Sequence, residues 1–575
     1  LTVRHITAIA TTHPSIVVWY LNIPISVGPH GAKAMPASRH LADSRRTASV
    51  LRFGMGVVFC VSAFLISPAF GQTPEPPQIP KTAVFELPPF EAEETEPKSP
   101  MLSPAVPLAP VITPMEIVGP VAEPKSIPKK EEPKHDPPKE QPKKDEPYVV
   151  GSDLKMNATW KDGVFIETAN RDFWFHPGGV LQYDGAFFQA NDQVMNGTKG
   201  TGPLNDAANL RRFRLRIEGG FGEVLEFMSE FEFADGFSTG TPATAANTFN
   251  TLGPTDVWLQ FNKLPVLGHV RIGNQKEWIG LEHLNSFRFL EFMERSLLFD
   301  AFIPTPFSNG FSPGISAYNT ILNERAFWAV GAYKNERDLF GFANGDGMYA
   351  ATGRLAALPI YENNGQRLLH VAVAGSYRDP VDGTVQFRVR PEIRNAPFPL
   401  LPLLANTGQI TADSQQLGAA EVAAVLGPLT IQAEYTSSFL QNASQGNLKN
   451  LGTVFYQGWY VQATYFLTGE FRPYNKQLFA FGRVVPNEPY HLVDGVGGWL
   501  FGHGAWELAA RYTNLDLSNS GINGGVLDNI TLGVNWYLTS NSKIQWNYDF
   551  THRTEVGGTS NGDIHAFGMR FALDF

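Results

Sequence analysis

The 575-residue chain has one cysteine, Cys60, and no apolar run long enough to cross a bilayer as a helix. Cys60 falls in a segment that reads as a removable leader. Without it, neither disulfides nor a thiolate metal site are available to the mature protein. Mean hydropathy is slightly negative, which excludes a helical-bundle membrane protein. The 13 histidines are scattered without metal-ligand spacing. No Gly-x-Ser-x-Gly elbow occurs in a strand–turn–helix context. Gly-rich stretches such as Asn523-Gly524-Gly525 read as tight turns, since no helix follows to cradle a phosphate. An enzyme is therefore not expected, nor a cofactor or metal ion. The net charge of -10 argues against a nucleic-acid partner.

What the chain does have falls into three parts. Arg45, Arg46 and Arg52 precede an apolar run from Met55 to Ile66, followed by Ser67-Pro68-Ala69-Phe70-Gly71. A basic start, a short apolar centre and small residues before Gly71 describe a secretory signal peptide cleaved there. Residues 1–71 are thus expected to be an N-terminal extension plus signal peptide, the stretch before Met35 being an alternative start. Residues 72–148 hold about 20 of the 43 prolines and end in an alternation of Lys, Glu and Pro. Such a segment buries too little apolar surface to offset its ordering entropy, so it is expected to be a disordered periplasmic spacer. Peptidoglycan is the partner it would reach.

From residue 149 onward the pattern has period two. Ile544, Trp546, Tyr548 and Phe550 alternate with Gln545, Asn547 and Asp549. Phe213, Leu215 and Ile217 alternate with Arg212, Arg214 and Arg216, and Phe227, Phe231 and Phe233 with Glu226, Glu230 and Glu232. Successive strand side chains point to opposite faces, so each segment has one apolar and one polar face. A soluble sandwich shares that alternation. Three further features favour a membrane barrel. Many segments reach ten residues or more, against the usual five or six. Aromatics (12% of the chain) gather on the apolar faces at Trp459, Tyr460, Tyr465, Trp536, Tyr537, Trp546 and Tyr548, as an interfacial girdle requires. Charges form rows on the opposite faces, including Gln386, Arg388 and Arg390, which a water-filled lumen accepts and a dry core does not. The fold expected is all-β, a transmembrane antiparallel barrel over 149–575. Counting from Phe173 gives 16 to 18 strands, with Val164–Thr168 and the region Leu478–Trp499 undecided. The barrel would sit in outer-membrane lipid.

Four blocks resemble the phosphate-selective porin O and P family. They are Asn209–Ile217 with its paired arginines; Val270–Trp278 running through Leu281-Glu282 to Phe292–Ser296; Tyr465–Glu470 with Arg472-Pro473-Tyr474; and Gly504–Tyr512 running to Leu532–Tyr537. They occur in family order over residues 160–575. The resemblance implies a 16-stranded barrel, a homotrimer, an inward-folded third loop, and arginines with loop lysines that pass phosphate. Arg211 and Arg212 match the paired arginines, and Lys276 matches a frequent strand-end lysine. Val180 stands where members commonly have arginine, and the loop region 281–312 has Arg288 and Arg295 but no lysine. Glu282, Glu291, Glu294 and Asp300 lie there as well.

The expected function is passive diffusion of small solutes, chiefly anions such as phosphate or polyphosphate, along an arginine-lined lumen. Arg211, Arg212, Arg214, Arg216, Lys276, Arg288, Arg388 and Arg390 are the anion-binding candidates. Arg212, Arg214 and Arg216 share one face about 7 Å apart, and a row of guanidiniums offers successive weak sites. The competing arrangement pairs these arginines with Glu226, Glu230 and Glu232 on the next strand. A second reading is a weakly selective general porin whose acidic loop residues cancel the arginine row. A third reading is a structural anchor joined to the cell wall by residues 72–148.

Overall fold

The computed structural model describes residues 149–234, 252–303, 310–334, 347–394, 402–495 and 498–575. The expected leader and the proline-rich spacer lie outside the described residues.

Sixteen strands form the wall. The first eight are β1 (Phe173–Ala190), β2 (Ala207–Phe221), β3 (Leu225–Glu232), β4 (Gly253–Leu264), β5 (Gly268–Gln275), β6 (Ser312–Ile321), β7 (Ala326–Lys334) and β8 (Tyr349–Glu362). The second eight are β9 (Arg367–Arg378), β10 (Ser414–Leu426), β11 (Leu429–Gln441), β12 (Val454–Phe466), β13 (Ala505–Asn519), β14 (Ile522–Tyr537), β15 (Ser542–Thr554) and β16 (Gly562–Asp574). Each pairs antiparallel with the next. β16 then pairs with β1, from Ile564↔Ala190 to Asp574↔Val180, and the ring closes. Closure leaves no wall edge to strand unpaired backbone groups in hydrocarbon, where each costs several kcal/mol. Phe575 extends the seam: its N–H donates to Gly179 O (3.1 Å) and its carbonyl accepts from Gly179 N–H (2.8 Å). A Cβ on Gly179 would lie 2.7 Å from the Phe575 ring, which is why a glycine suits this position.

The alternation divides the wall as expected. On β2, Phe213, Leu215 and Ile217 are exposed on the outer surface, while Arg212, Arg214 and Arg216 are buried inside. A bulge changes one detail. The register slips between Gln182 and Tyr183 opposite Arg212 and Leu210, so the extra residue Arg211 also turns inward. The girdle reading needs correction at two positions. Tyr460 and Tyr537 face the interior, buried, where their hydroxyls donate to Glu434 (2.5 Å) and Glu507 (2.8 Å). A tyrosine O–H that finds a carboxylate inside is more stable there than at an interface.

Two regions left open by periodicity are not wall. Val164–Thr168 pairs with Met156–Trp160 as a hairpin whose ladder to β1 is confined to Ile166↔Phe175 and Glu167↔Trp174. The region Leu478–Trp499 belongs to a long connection, residues 467–504, between β12 and β13. The other connections on that face are short turns of two to four residues.

Parts of three connections fold inward: residues 277–303 after β5, 385–394 and 402–412 after β9, and 470–484 after β12. Gln386, Arg388 and Arg390 therefore do not belong to the wall. Arg388–Val389 pairs instead with Ala405–Asn406 inside one inward loop. Apolar side chains pack these segments onto half of the inner wall. Trp278, Leu281, Tyr474, Phe479 and Phe481 cover Tyr318, Phe327, Leu358, Leu368 and Val425 on β6–β10. Leu297, Leu298 and Phe302 with Phe387, Val389 and Ile410 cover Tyr456, Tyr460, Leu515 and Leu527 on β12–β14.

Candidate permeation pathway

The loop 276–311 leaves β5 at Gln275 and is buried over nearly all of 277–303. Gly280 turns it with φ at 78°, a conformation that suits glycine. The one-turn helix Leu281–Leu284 follows, and its first N–H groups, Leu281 and Glu282, donate to Glu434 of β11 at 2.9 and 2.7 Å. This places a carboxylate where a helix start has unpaired donors.

The loop's acidic residues clip it to the wall and to the other inward segments. Glu294 accepts from Arg211 (3.0 Å), Arg212 (2.8 Å) and Arg570 (2.8 Å). Glu282 accepts from Arg511 of β13 at 2.9 Å and from Ser296 N–H and Oγ–H. Asp300 is held by Arg390 (2.9 Å) and Arg394 (2.8 Å). Glu277 takes a two-point grip from Arg378 at 2.7 and 2.8 Å. Glu291 pairs with Arg472 of the 467–504 connection, so two inward segments meet over the lumen. Burial alone would push the Glu294 carboxyl up. Its arginines overcome that and hold it well below the ordinary carboxylate range. For Asp300, too, burial is outweighed, here by Arg390 and Arg394, and the carboxyl is held low.

The sequence-derived candidates separate accordingly. Arg211 and Arg212 ring Glu294. Arg214 bonds Glu232 (2.7 Å) and Glu230 (2.9 Å) and lies over the Phe287 ring. Arg216 is buried 3.6 Å from Glu218, its Nε without a hydrogen-bond partner. The pairing of arginines with the next strand's glutamates is thus realised for Arg214. Lys276 donates to three loop carbonyls, His283 (2.8 Å), Leu284 (3.4 Å) and Asn285 (3.0 Å), and so fastens the loop's first turn. Burial pushes its ammonium well below the usual lysine value. Arg288 stays half-buried, 3.9 Å from Asp574, in a small cavity that Arg483 and Lys543 also line. Arg388 and Arg390 lie on the second inward loop, Arg390 gripped by Asp300. The structure gathers Arg211, Arg212, Arg390 and Arg394 around the loop carboxylates Glu294 and Asp300, while Arg216 and Arg288 lie beside Glu218 and Asp574 and Lys276 fastens the loop's own backbone.

Accessible inward side chains gather on β3–β5: Glu226, Met228, Asp256, Trp258, His269 and Arg271 are half-buried there. The inward residues of β8 and β9, by contrast, are almost all buried. Arg271, Trp258 and Asp256 were not among the sequence-derived candidates. Arg271 lies over the Trp258 ring at 3.9 Å, and its Nε and Nη2 donate to Gln260 Oε1 at 2.9 and 2.8 Å. Among the described residues it has no carboxylate at ion-pair distance. The signal for it was available, since His269, Arg271, Gly273 and Gln275 alternate with Val270 and Ile272. Among the described residues, no group of three or more His, Cys, Asp or Glu could hold a metal ion.

A closed sheet, apolar outside and charged within, narrowed by inward loops, is a porin: a channel for passive diffusion across an outer membrane. The family model described as "Phosphate-selective porin O and P" matches residues 181–575, and the chain belongs to that family. It is 25% identical to Porin O of Pseudomonas aeruginosa over 452 residues, 74% of this chain and 93% of that protein. An uncharacterized protein of Caulobacter vibrioides is 26% identical over 433 residues, 72% of this chain and 77% of its own length. Solved structures with a similar fold include the outer membrane channel DcaP of Acinetobacter baumannii. It is 11% identical with a TM-score of 0.41, over 70% of this chain and 97% of that one.

Proposed function

We propose that the channel passes small anions with a weak preference over cations, and with no strong selection of phosphate or polyphosphate. The observation that carries this reading is Arg271. It faces the accessible side of the lumen as a guanidinium without a carboxylate partner among the described residues, while most wall arginines are ion-paired. Lys276 is engaged by loop carbonyls and Arg288 lies 3.9 Å from Asp574, so the weak anion preference rests on Arg271, flanked by Glu226 and Asp256. Selecting phosphate needs several convergent donors, and here those donors bind the protein's own carboxylates. The test is the reversal potential of single channels in a potassium chloride gradient. Chloride should pass about twice as readily as potassium, and Arg271→Gln should bring the ratio toward one. A cation preference in the unaltered protein would refute the proposal, and no conductance at all would favour a structural anchor. Export through a leader cleaved after Gly71, assembly as a homotrimer and a tie to peptidoglycan through residues 72–148 complete the proposal. Mass of the mature chain, native mass in detergent and co-sedimentation with cell wall test them in turn.

A further inference from the structure

Opposite charges in this lumen meet directly almost everywhere: Arg378 grips Glu277, Arg354 grips Glu421, Arg570 grips Asp184. The patch on β3–β5 differs. Between Glu226 and Arg271 stands the buried amide of Gln260, whose Nε2 donates to Glu226 (3.2 Å) and whose Oε1 accepts from Arg271 (2.9 Å). Between Arg271 and Asp256 stands the Trp258 indole. Its face carries the guanidinium and its Nε1–H donates to Asp256 Oδ1 at 3.0 Å. Neutral groups thus hold two carboxylates and one guanidinium apart, side by side on one wall and half-buried toward the accessible lumen. Tyr318 completes the frame. Its hydroxyl donates to Gln260 Oε1 at 2.8 Å, so the amide's orientation is fixed.

We propose that this patch is a binding site for small zwitterions that bear an ammonium and a carboxylate a few bonds apart, the chemistry of free amino acids. The solute's carboxylate accepts from Arg271, whose Nε and Nη2 are already oriented by Gln260. Its ammonium donates to Glu226 on one side or Asp256 on the other. A simple anion satisfies only the arginine and meets two carboxylates, and a simple cation meets the reverse. The inference rests on the reading that solutes follow β3–β5, and deepens it by naming a class of solute.

Liposomes carrying the full chain and challenged with isosmotic glycine or glycolamide test it, since the two are nearly equal in size and only glycine is a zwitterion. Glycine should enter about three times faster, and Glu226→Gln and Arg271→Gln should each bring the ratio close to one. Equal entry into liposomes with the unaltered protein, or a ratio kept by both variants, would overturn the proposal. Entry of glycolamide with no glycine preference sinks the site but not the channel, and entry of neither sinks both. A second measurement does not depend on the variants folding. Added glycine should reduce single-channel chloride current more than equimolar acetate does, and an equal effect would make the patch a plain anion seat.

Discussion

Glu294→Gln should release the third loop. In the folded protein Glu294 is the shared counterion of Arg211, Arg212 and Arg570, each at 2.8–3.0 Å, with Arg394 at 3.9 Å. Two guanidiniums gripping one carboxylate lie about 6 Å apart, and at an effective dielectric near 20 such a pair repels by roughly 3 kcal/mol. Breaking a buried ion pair by removing one partner costs about 3–5 kcal/mol. At 1.4 kcal/mol per factor of ten, that shifts the loop's docked-to-undocked ratio by about a hundred- to a few thousandfold. The wall does not depend on Glu294, because its ladder of backbone bonds is continuous without the loop. The expected phenotype is therefore a folded barrel with larger, noisier single-channel conductance and a stronger chloride preference, as Arg211 and Arg212 lose the carboxylate they share, while Arg570 keeps Asp184 and Arg394 keeps Asp300. The assay is paired: electrophoretic mobility with and without heating to show the barrel, then planar-bilayer recordings for conductance and reversal potential. A folded variant with the unaltered protein's conductance and selectivity would refute the idea that this carboxylate clips the loop.

Acid should leave that clip in place over most of the range. A carboxyl held well below its ordinary value contributes stability that is complete above the unfolded value, near 4.5, and is lost only as pH falls through the lower folded value. Conductance should therefore hold constant from pH 7 to about 4.5 and rise only in stronger acid, and a rise beginning near pH 6 would contradict this. Gly179→Leu should drive the new side chain into the Phe575 ring and weaken the seam, seen as a smaller heat-modifiable fraction at equal expression. Arg378→Ala leaves Glu277 buried without its two-point partner and should destabilise the loop root by about 3–5 kcal/mol, read as a lower unfolding midpoint in detergent.

Much of the wall was legible because strand alternation is local: Ile544–Phe550 and Arg212–Ile217 each place apolar residues at every second position. The same rule misled at Gln386, Arg388 and Arg390. That alternation is equally regular, but its partner is Ala405–Asn406 rather than a neighbouring wall strand, and pairing partners are not written in period. Arg211 turned inward through a bulge, which one extra residue creates without any change in composition. Tyr460 and Tyr537 share the inward parity of their strands, yet aromatic identity suggested the girdle. The acidic loop residues are legible in the sequence as charges at Glu282, Glu291, Glu294 and Asp300. That each clips a particular arginine depends on contacts across the lumen, some joining residues more than 200 apart in sequence. Arg271 was passed over because attention went to arginines in rows, whereas a lone guanidinium on an indole has no such signature.

The seam between β16 and β1 also sets the order of events in making the protein. Arg570 and Asp184, which meet across it, are 386 residues apart. Until the last strand has been made, β1 presents a row of open amides and carbonyls to whatever lies nearby. Pairing over so long a span is slow, because the loop entropy must be overcome before any contact forms. The incomplete wall is thus the form most prone to aggregate, and the cell must shelter it until β16 arrives.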